Sequence, residues 1–581
     1  MNIKIKAFLF LSVLLEILIL TYSMNRGFDI TDEGYYLLSY QNNYQGGTEL
    51  IKSHEIVTLM SRGNGPDIIE ARLMRLTLSL ISGIIFALCF FYLLKRLDKE
   101  KNSKGDFFTI LLITLTGILG SYSINPQAIS YNSLTLILSV LITSILLLFM
   151  ELTLNRGSRF LRVLVLIPAG LLLGTMFFVK FTSAIALFVT ASVFVVAVNI
   201  KSIRESLLFI AALALSLIGS MVIYAMINVE LKNFISGIFN IAVGLVDTQS
   251  PSNTRGLLFQ ALIIGSTLVK LAAALIIGSG LGFIYLRFQK LKDSLMDKKK
   301  KLSRLINAGF ILFSFLFIFS VFYAEVLDFN NFSLQIFIIV ITFFLVLAGE
   351  SFQFRDFISN QKAILLMLFI LVPFSISFGT DVPYMRHLLF SLMFIFCIPF
   401  LFYNSYHSNI FSWLFISLSI LATIFIFNNN YLNPYRMSRI DKYNVSINNN
   451  PVITEKVKFK PDEANDLEKI AGILVQHGYK RGDNLIAAYR IPGLVYLLGG
   501  TQPGGMLWGQ QVEGLFLKNL GQYSQESLKK TIIITRKPLN EAFINFLGEK
   551  GINFPSDYEV FGNLSYGERE INTITVYIPK H

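Results

Sequence analysis

The stretch GFDITDEGYYLLSY, beginning at Gly27, carries three carboxylates in five positions, Asp29, Asp32 and Glu33, followed at once by Tyr35 and Tyr36. Acids favour the positive N-terminal turn of a helix, so the simplest reading is a solvated helix start. A second chemistry is open because cations stand in otherwise apolar stretches. Arg72 and Arg75 lie in EARLMRLTLS, Lys180 in GTMFFVKFTSA, and Arg386 with His387 in VPYMRHLLF. Singly, each is a snorkelling side chain at a membrane boundary. At one common membrane level, they can hold the phosphate of a lipid headgroup.

Composition says what must position these groups. The 581 residues are 54% hydrophobic and only 15% charged, with a mean hydropathy of +0.60. Soluble domains run near 25% charged, so the chain belongs in a membrane. The net charge of +13 sits mostly in short loops between apolar runs, which assigns it to orientation and anionic lipid and excludes nucleic acid as a partner. Cys89 and Cys397 both fall inside apolar runs and imply no disulfide framework.

A spanning helix needs about 20 mostly apolar residues. Runs of that kind cover 7–24, 75–94, 107–123, 133–150, 161–178, 182–199, 206–227, 263–285, 305–323, 332–349, 363–379, 387–403 and 410–427, thirteen in all. The first follows Lys4 and Lys6, lacks a small-residue cleavage site and reads as a retained signal-anchor. Loops such as NRGSRFLR and RFQKLKDSLMDKKKKLSR are rich in Lys and Arg, whereas SINPQAISYN and EVLDFNNF lack them. The alternation predicts a multi-pass protein of the cell (inner or plasma) membrane with a cytoplasmic N-terminus and an outer C-terminus. The loop 25–74 then faces outward, and two short helices along the membrane surface fit its spacing.

Beyond residue 428 the composition changes. KPDEANDLEKIAGILVQHG and NEAFINFLGEKG read as capped helices, and DNLIAAY, TIIITR and TITVYI as strands. The expected fold is thus an α-helical polytopic membrane domain over 1–428 and a soluble extracytoplasmic α/β domain over 429–581.

The order of four short motifs on this topology resembles the GT-C glycosyltransferases, closest in layout to lipid A aminoarabinose transferases and protein O-mannosyltransferases. The motifs are TDEGYYLLSY in the first outer loop, RLTLSLISGI opening the second span, LLLGTMFFVKF after the fifth and YMRHLLFSL at a late outer start. The Pro-Pro segment common in that first loop is replaced here by SHEIVTLMSRGNGPD, and AISYNSLTLILS occupies the third-to-fourth span loop where relatives often place a charged pair. The resemblance implies an inverting hexosyl- or pentosyltransferase that uses a polyprenyl-phosphate sugar and a glycan, lipid or protein acceptor. A phosphate-linked sugar carries its own leaving group, so one carboxylate and some cations suffice. The acidic motif puts the base at Asp32, with Glu33 orienting it. Asp29 and Asp32 together could bind a divalent cation. Lys180, Arg386 and Arg75 become ligands of the donor phosphate, and Tyr35, Tyr36, Arg72, His54 and Lys270 candidate substrate contacts.

Two other classes share part of this pattern. A lipid-linked glycan polymerase or ligase would have similar spans and outer cations, but usually carries its large soluble segment between spans. A transporter or flippase would show paired repeats and midplane charges, and the main intramembrane acid, Glu16, stands alone.

Overall fold

A computed structural model describes residues 3–41, 53–61, 63, 65–97, 107–124, 126–228, 252–295, 329–349, 360–378, 387–403, 408–504, 513–565 and 573–580. In chain order the helices are α1 (Ile3–Ser23), α2 (Asp32–Tyr40), α3 (Ser53–Met60), α4 (Ile68–Leu97), α5 (Phe107–Tyr122), α6 (Tyr131–Leu154), α7 (Arg159–Val198), α8 (Ile203–Asn228), α9 (Ser252–Leu295), α10 (Phe329–Gly349), α11 (Asn360–Ser377), α12 (Leu392–Cys397), α13 (Phe400–Tyr403) and α14 (Ser408–Phe427). After α14 come strands β1 (Val445–Ser446) and β2 (Lys458–Phe459), helix α15 (Pro461–Gln476), β3 (Leu485–Ala488) and α16 (Pro492–Leu497). Helices α17 (Glu513–Leu520) and α18 (Gln525–Lys529), β4 (Ile532–Thr535), α19 (Glu541–Glu549), β5 (Tyr558–Ser565) and β6 (Thr573–Pro579) complete the chain.

Six helices among the described residues are long and apolar enough to cross a membrane. The apolar run 305–323 lies outside the described residues. The run 387–403 is a short 3₁₀ turn followed by α12 and α13, because Pro399 between them cannot donate a backbone hydrogen bond.

The chain divides into two compact units. The first comprises Met1–Ile17, Leu78–Ile124 and Thr135–Ile426. In it, α7 is not one straight rod. Lys180 leaves helical geometry at φ −157° and ψ 90°, and Arg162 near one end donates to Asn199 Oδ1 at 3.5 Å near the other. A straight helix of 40 residues would be about 60 Å long and would hold those groups far apart. The helix therefore folds back at Lys180, as the two runs 161–178 and 182–199 require. Small residues let its neighbour approach: a Cβ on Gly170 would lie 2.6 Å from Leu213 O on α8, and one on Gly174 would lie 2.7 Å from Leu217 O. Buried Glu16 on α1 accepts from Thr423 Oγ1 on α14 at 2.9 Å.

The second unit comprises Leu18–Thr77, Asn125–Leu134 and Phe427–His581. Its sheet has the order β3-β4-β6-β5, with β3 and β4 parallel and the remaining pairs antiparallel. Every residue of β3 and β4 is buried, as expected for strands covered on both faces. Ile486, Ile533, Phe516, Leu520 and Phe543 form the heart of that core. The loop 25–74, which the sequence groups with 1–428, thus folds in one unit with the segment after Ile426. Gly27 N donates to Lys458 O at 2.9 Å and Lys458 N to Asn25 O at 2.8 Å, so the approach to the acidic turn lies alongside β2.

Candidate active site

The acidic turn is built by its own first carboxylate. Asp29 Oδ1 accepts from Thr31 N at 3.0 Å and Thr31 Oγ1 at 2.6 Å, while Oδ2 accepts from the amides of Asp32 at 2.9 Å and Glu33 at 3.3 Å. Glu33 Oε2 returns the favour by accepting from Asp29 N at 3.3 Å. This reciprocal arrangement satisfies N–H groups that the start of α2 would otherwise leave unpaired. Burial pushes the Asp29 carboxyl up to about 6, against the pull of the Thr31 hydroxyl.

Glu33 is consumed by the fold as well. Arg72 on α4 grips it with Nε on Oε1 at 2.8 Å and Nη2 on Oε2 at 2.7 Å, and both side chains are 0% exposed. With the Asp29 amide, Ala128 N at 3.0 Å brings the hydrogen bonds on Glu33 to four. The remaining donors of Arg72 go to the carbonyls of Ser23, Met24, Arg26 and Gly27. One buried guanidinium therefore ties the end of α1, the acidic turn and α4 together. Arg75, one turn further along α4, is buried and donates to Pro126 O.

Asp32 differs. Its side chain keeps 20% of its surface exposed, and its partners come from the segment after α14. Arg436 Nη1 stands 2.9 Å from Oδ1, and the Tyr435 hydroxyl donates to Oδ2. Burial, then the charge of Asp32, holds the Tyr435 phenol above its ordinary range, so it stays protonated and acts as the donor. Asp32, Tyr35 and Tyr36 share one half-exposed face of α2, since residues three and four apart lie over one another. The Tyr36 ring lies 5.3 Å from Tyr35 and 6.1 Å from Tyr131, centroid to centroid. The arrangement is a carboxylate with one cation, a fixed hydroxyl donor and aromatic walls. It can accept a proton from a hydroxyl, and its rings offer apolar faces to a ring-shaped ligand.

The opposite face of α2 fixes this placement. A Cβ on Gly34 would fall 2.3 Å from Gly493 Cα, and one on Gly493 would fall 2.5 Å from Ile30 Cα. Only glycine at both positions lets α2 and α16 meet backbone to backbone, where Gly493 N also donates to Ile30 O at 2.8 Å.

Of the sequence candidates, Asp29, Asp32, Glu33, Tyr35, Tyr36 and Arg72 come together in this unit, with Arg75 beside them on α4. His54 on α3 stands 3.9 Å from Glu55. Lys180 and Lys270 belong to the first unit: Lys180 donates to Ile376 O at 2.9 Å at the end of α11, and Lys270 is exposed on α9. Arg386 lies outside the described residues. Among the described residues no three His, Cys, Asp or Glu side chains group as metal ligands. Sequence reasoning passed over Tyr435, Arg436 and Tyr131. The signal for the first two was NPYR shortly after the last apolar run, an aromatic and a cation following a proline. No family profile matches the chain, and no curated protein matches it.

Proposed function

We propose that the protein is a GT-C-type glycosyltransferase that moves a sugar from a polyprenyl-phosphate donor to an acceptor hydroxyl outside the membrane. The observation that carries this reading is the division of labour among three neighbouring acids. Asp29 and Glu33 are buried with their oxygens taken by the fold, whereas Asp32 is 20% exposed in an aromatic-walled corner and its two partners come from one surface turn. In the proposed step the acceptor's O–H bond breaks and its proton passes to a carboxylate oxygen of Asp32. The freed electron pair forms the bond to the anomeric carbon, and the carbon–oxygen bond to phosphate breaks, its electrons leaving on the phosphate. No general acid is required, because phosphate is already a good leaving group. The supporting roles are a matter of electrostatics: Lys180, Arg386 and Arg75 are the proposed ligands of the leaving phosphate.

The same reading proposes thirteen spans, a cytoplasmic N-terminus and an outer C-terminal segment. The fold-back of α7 at Lys180 supports counting that helix as two spans.

The test begins with mass spectrometry of the lipid-linked sugar that co-purifies with the protein, followed by transfer assays with it. Asp32→Asn keeps the shape of the side chain but cannot take the proton. Turnover then falls by about a hundred- to ten-thousand-fold while donor binding survives. Near-normal transfer by a folded Asp32→Asn protein would return the acidic turn to a purely structural role.

A further inference from the structure

Each oxygen of Asp32 has one partner, Arg436 on Oδ1 and the Tyr435 hydroxyl on Oδ2, and Arg436 Nη1 also donates to Thr31 Oγ1. Each oxygen keeps a second lone pair, but with a guanidinium and a phenol already donating to it the carboxylate is a weaker base toward an incoming hydroxyl than a free one. The two partners are neighbours on a single turn, and that turn is delivered by unusual backbone. Helix α14 runs into a π-helical turn, Asn428–Leu432, closed by Asn433 N on Asn428 O at 2.7 Å. Pro434 follows, and Met437 N donates to Pro434 O at 3.0 Å, closing a tight turn whose third residue is Arg436. That residue sits at φ +52°, where glycine or asparagine is favoured and the Cβ of any other residue crowds the backbone. An arginine at positive φ shortly after a π-turn places backbone strain beside a charge. The far side of the turn is anchored: Met437 and Tyr443 pack so tightly on Gly27 that a Cβ there would lie 2.7 Å from Met437 Sδ. Its near side, with Arg436 at 38% exposure, is open to the surface.

Resting on the reading that Asp32 is the base, we propose that the turn Pro434–Met437 is a latch over Asp32, opened when the phosphate of a membrane lipid takes Arg436 away from the carboxylate. A phosphate oxyanion competes with a carboxylate for the same guanidinium fork. Because Tyr435 and Arg436 share one turn, loss of the ion pair withdraws the tyrosine hydroxyl with it. Asp32 is thereby released only when a phosphate is present, which couples the base to occupancy of the donor and guards against idle chemistry.

The latch makes a competition, and competition has a sign. The closed state lowers apparent phosphate affinity by the fraction of molecules that are open. Undecaprenyl monophosphate in phosphatidylcholine nanodiscs is the probe, with its affinity measured for the full-length protein and variants of matched thermal stability. Asp32→Asn and Tyr435→Phe each weaken the latch and tighten binding by roughly three- to thirty-fold. Arg436→Gln weakens binding by roughly ten-fold. The gain from Asp32→Asn or Tyr435→Phe then disappears in the Arg436→Gln background, which separates a latch from plain repulsion between Asp32 and phosphate. Unchanged affinity in Asp32→Asn and Tyr435→Phe, or a gain that persists without Arg436, overturns the proposal. A parallel titration of phosphatidylglycerol, added in place of the carrier to the same phosphatidylcholine nanodiscs, tells the two phosphate sources apart. The same gains there assign the latch to headgroup phosphate in general, and their absence assigns it to the carrier. Sugar transfer by the same Asp32→Asn sample reports on the base separately. Lost transfer with unchanged affinity keeps the base and removes the latch; retained transfer with raised affinity does the reverse.

Discussion

Two ion pairs leave α2 from adjacent residues and differ in everything except chemistry. Glu33 and Arg72 are sealed from solvent, bidentate, and supplemented by an amide and four carbonyls. Asp32 and Arg436 are 20% and 38% exposed and meet through one nitrogen and one oxygen. The first pair has every hydrogen-bonding direction filled, so it can only hold the chain. The second is screened by water and held by a strained turn, so it can exchange partners at modest cost. Adjacent side chains on a helix point about 100° apart, which lets one residue serve the fold and the next serve the surface.

The buried pair gives the largest expected effect. Glu33→Ala leaves the Arg72 guanidinium sealed without its counter-charge, a change worth about 3–5 kcal/mol. The thermal midpoint of purified protein should drop severely in Glu33→Ala and barely in Asp32→Ala. Comparable losses in both would erase the distinction between the two pairs.

Asp29 supplies the next effect, through pH. Burial raises its carboxyl from 3.8 to about 6. An acid with a raised pKa binds its proton more tightly in the folded protein, so its stabilising contribution is complete below about pH 4 and is lost as pH rises through about 6. A shift of this size is worth on the order of 3 kcal/mol at 1.36 kcal/mol per unit. Glu463, raised to about 7 by burial, slopes the same way. The decline in thermal midpoint between pH 4.5 and 7.5 should be smaller in Asp29→Asn than in the parent chain. Equal declines would show that Asp29 does not titrate in this window.

Gly34 follows, because a methyl group there collides with backbone, and backbone cannot move aside as a side chain can. Overpacking of this kind costs about 1–3 kcal/mol. Gly34→Ala and Gly493→Ala should each lower the midpoint, and the double variant should lose less than the sum, since both disturb one contact. Strict additivity would mean that the two glycines act independently.

Much of this was legible in the sequence, for reasons that can be named. The acids read as a helix start because acids belong on the first turn: Asp32 and Glu33 sit there, and Asp29 lies just before it, accepting from the first amides. The strand TIIITR and the helix NEAFINFLGEKG carry their own periodicity, and β4 and α19 lie within them. The reversal at Lys180 was readable from two apolar runs too long for one span. The partners of Asp32 were not, because Tyr435 and Arg436 lie about 400 residues away and are brought to it by a π-turn and a left-handed residue. Neither leaves a mark in hydrophobic patterning. Nor could the pattern say which acid is spent: Arg72 looked like a snorkelling boundary cation, and its commitment to Glu33 depends on burial that only packing decides.

Arg436→Gly should produce the smallest change in stability, and the most informative one. Glycine adopts φ near +52° freely, so the substitution relieves roughly 1 kcal/mol of backbone strain. It also forfeits a partly exposed ion pair and a hydrogen bond to Thr31 Oγ1, together worth about 1 kcal/mol after screening by solvent. The two terms oppose, and the thermal midpoint should stay within the equivalent of about 1 kcal/mol of the parent, or rise. Arginine at this position would then contribute no net stability, as expected of a residue whose role is to bind. A large loss in Arg436→Gly, approaching that of Glu33→Ala, would instead make Arg436 a second structural clamp, and the contrast between the two pairs would fail.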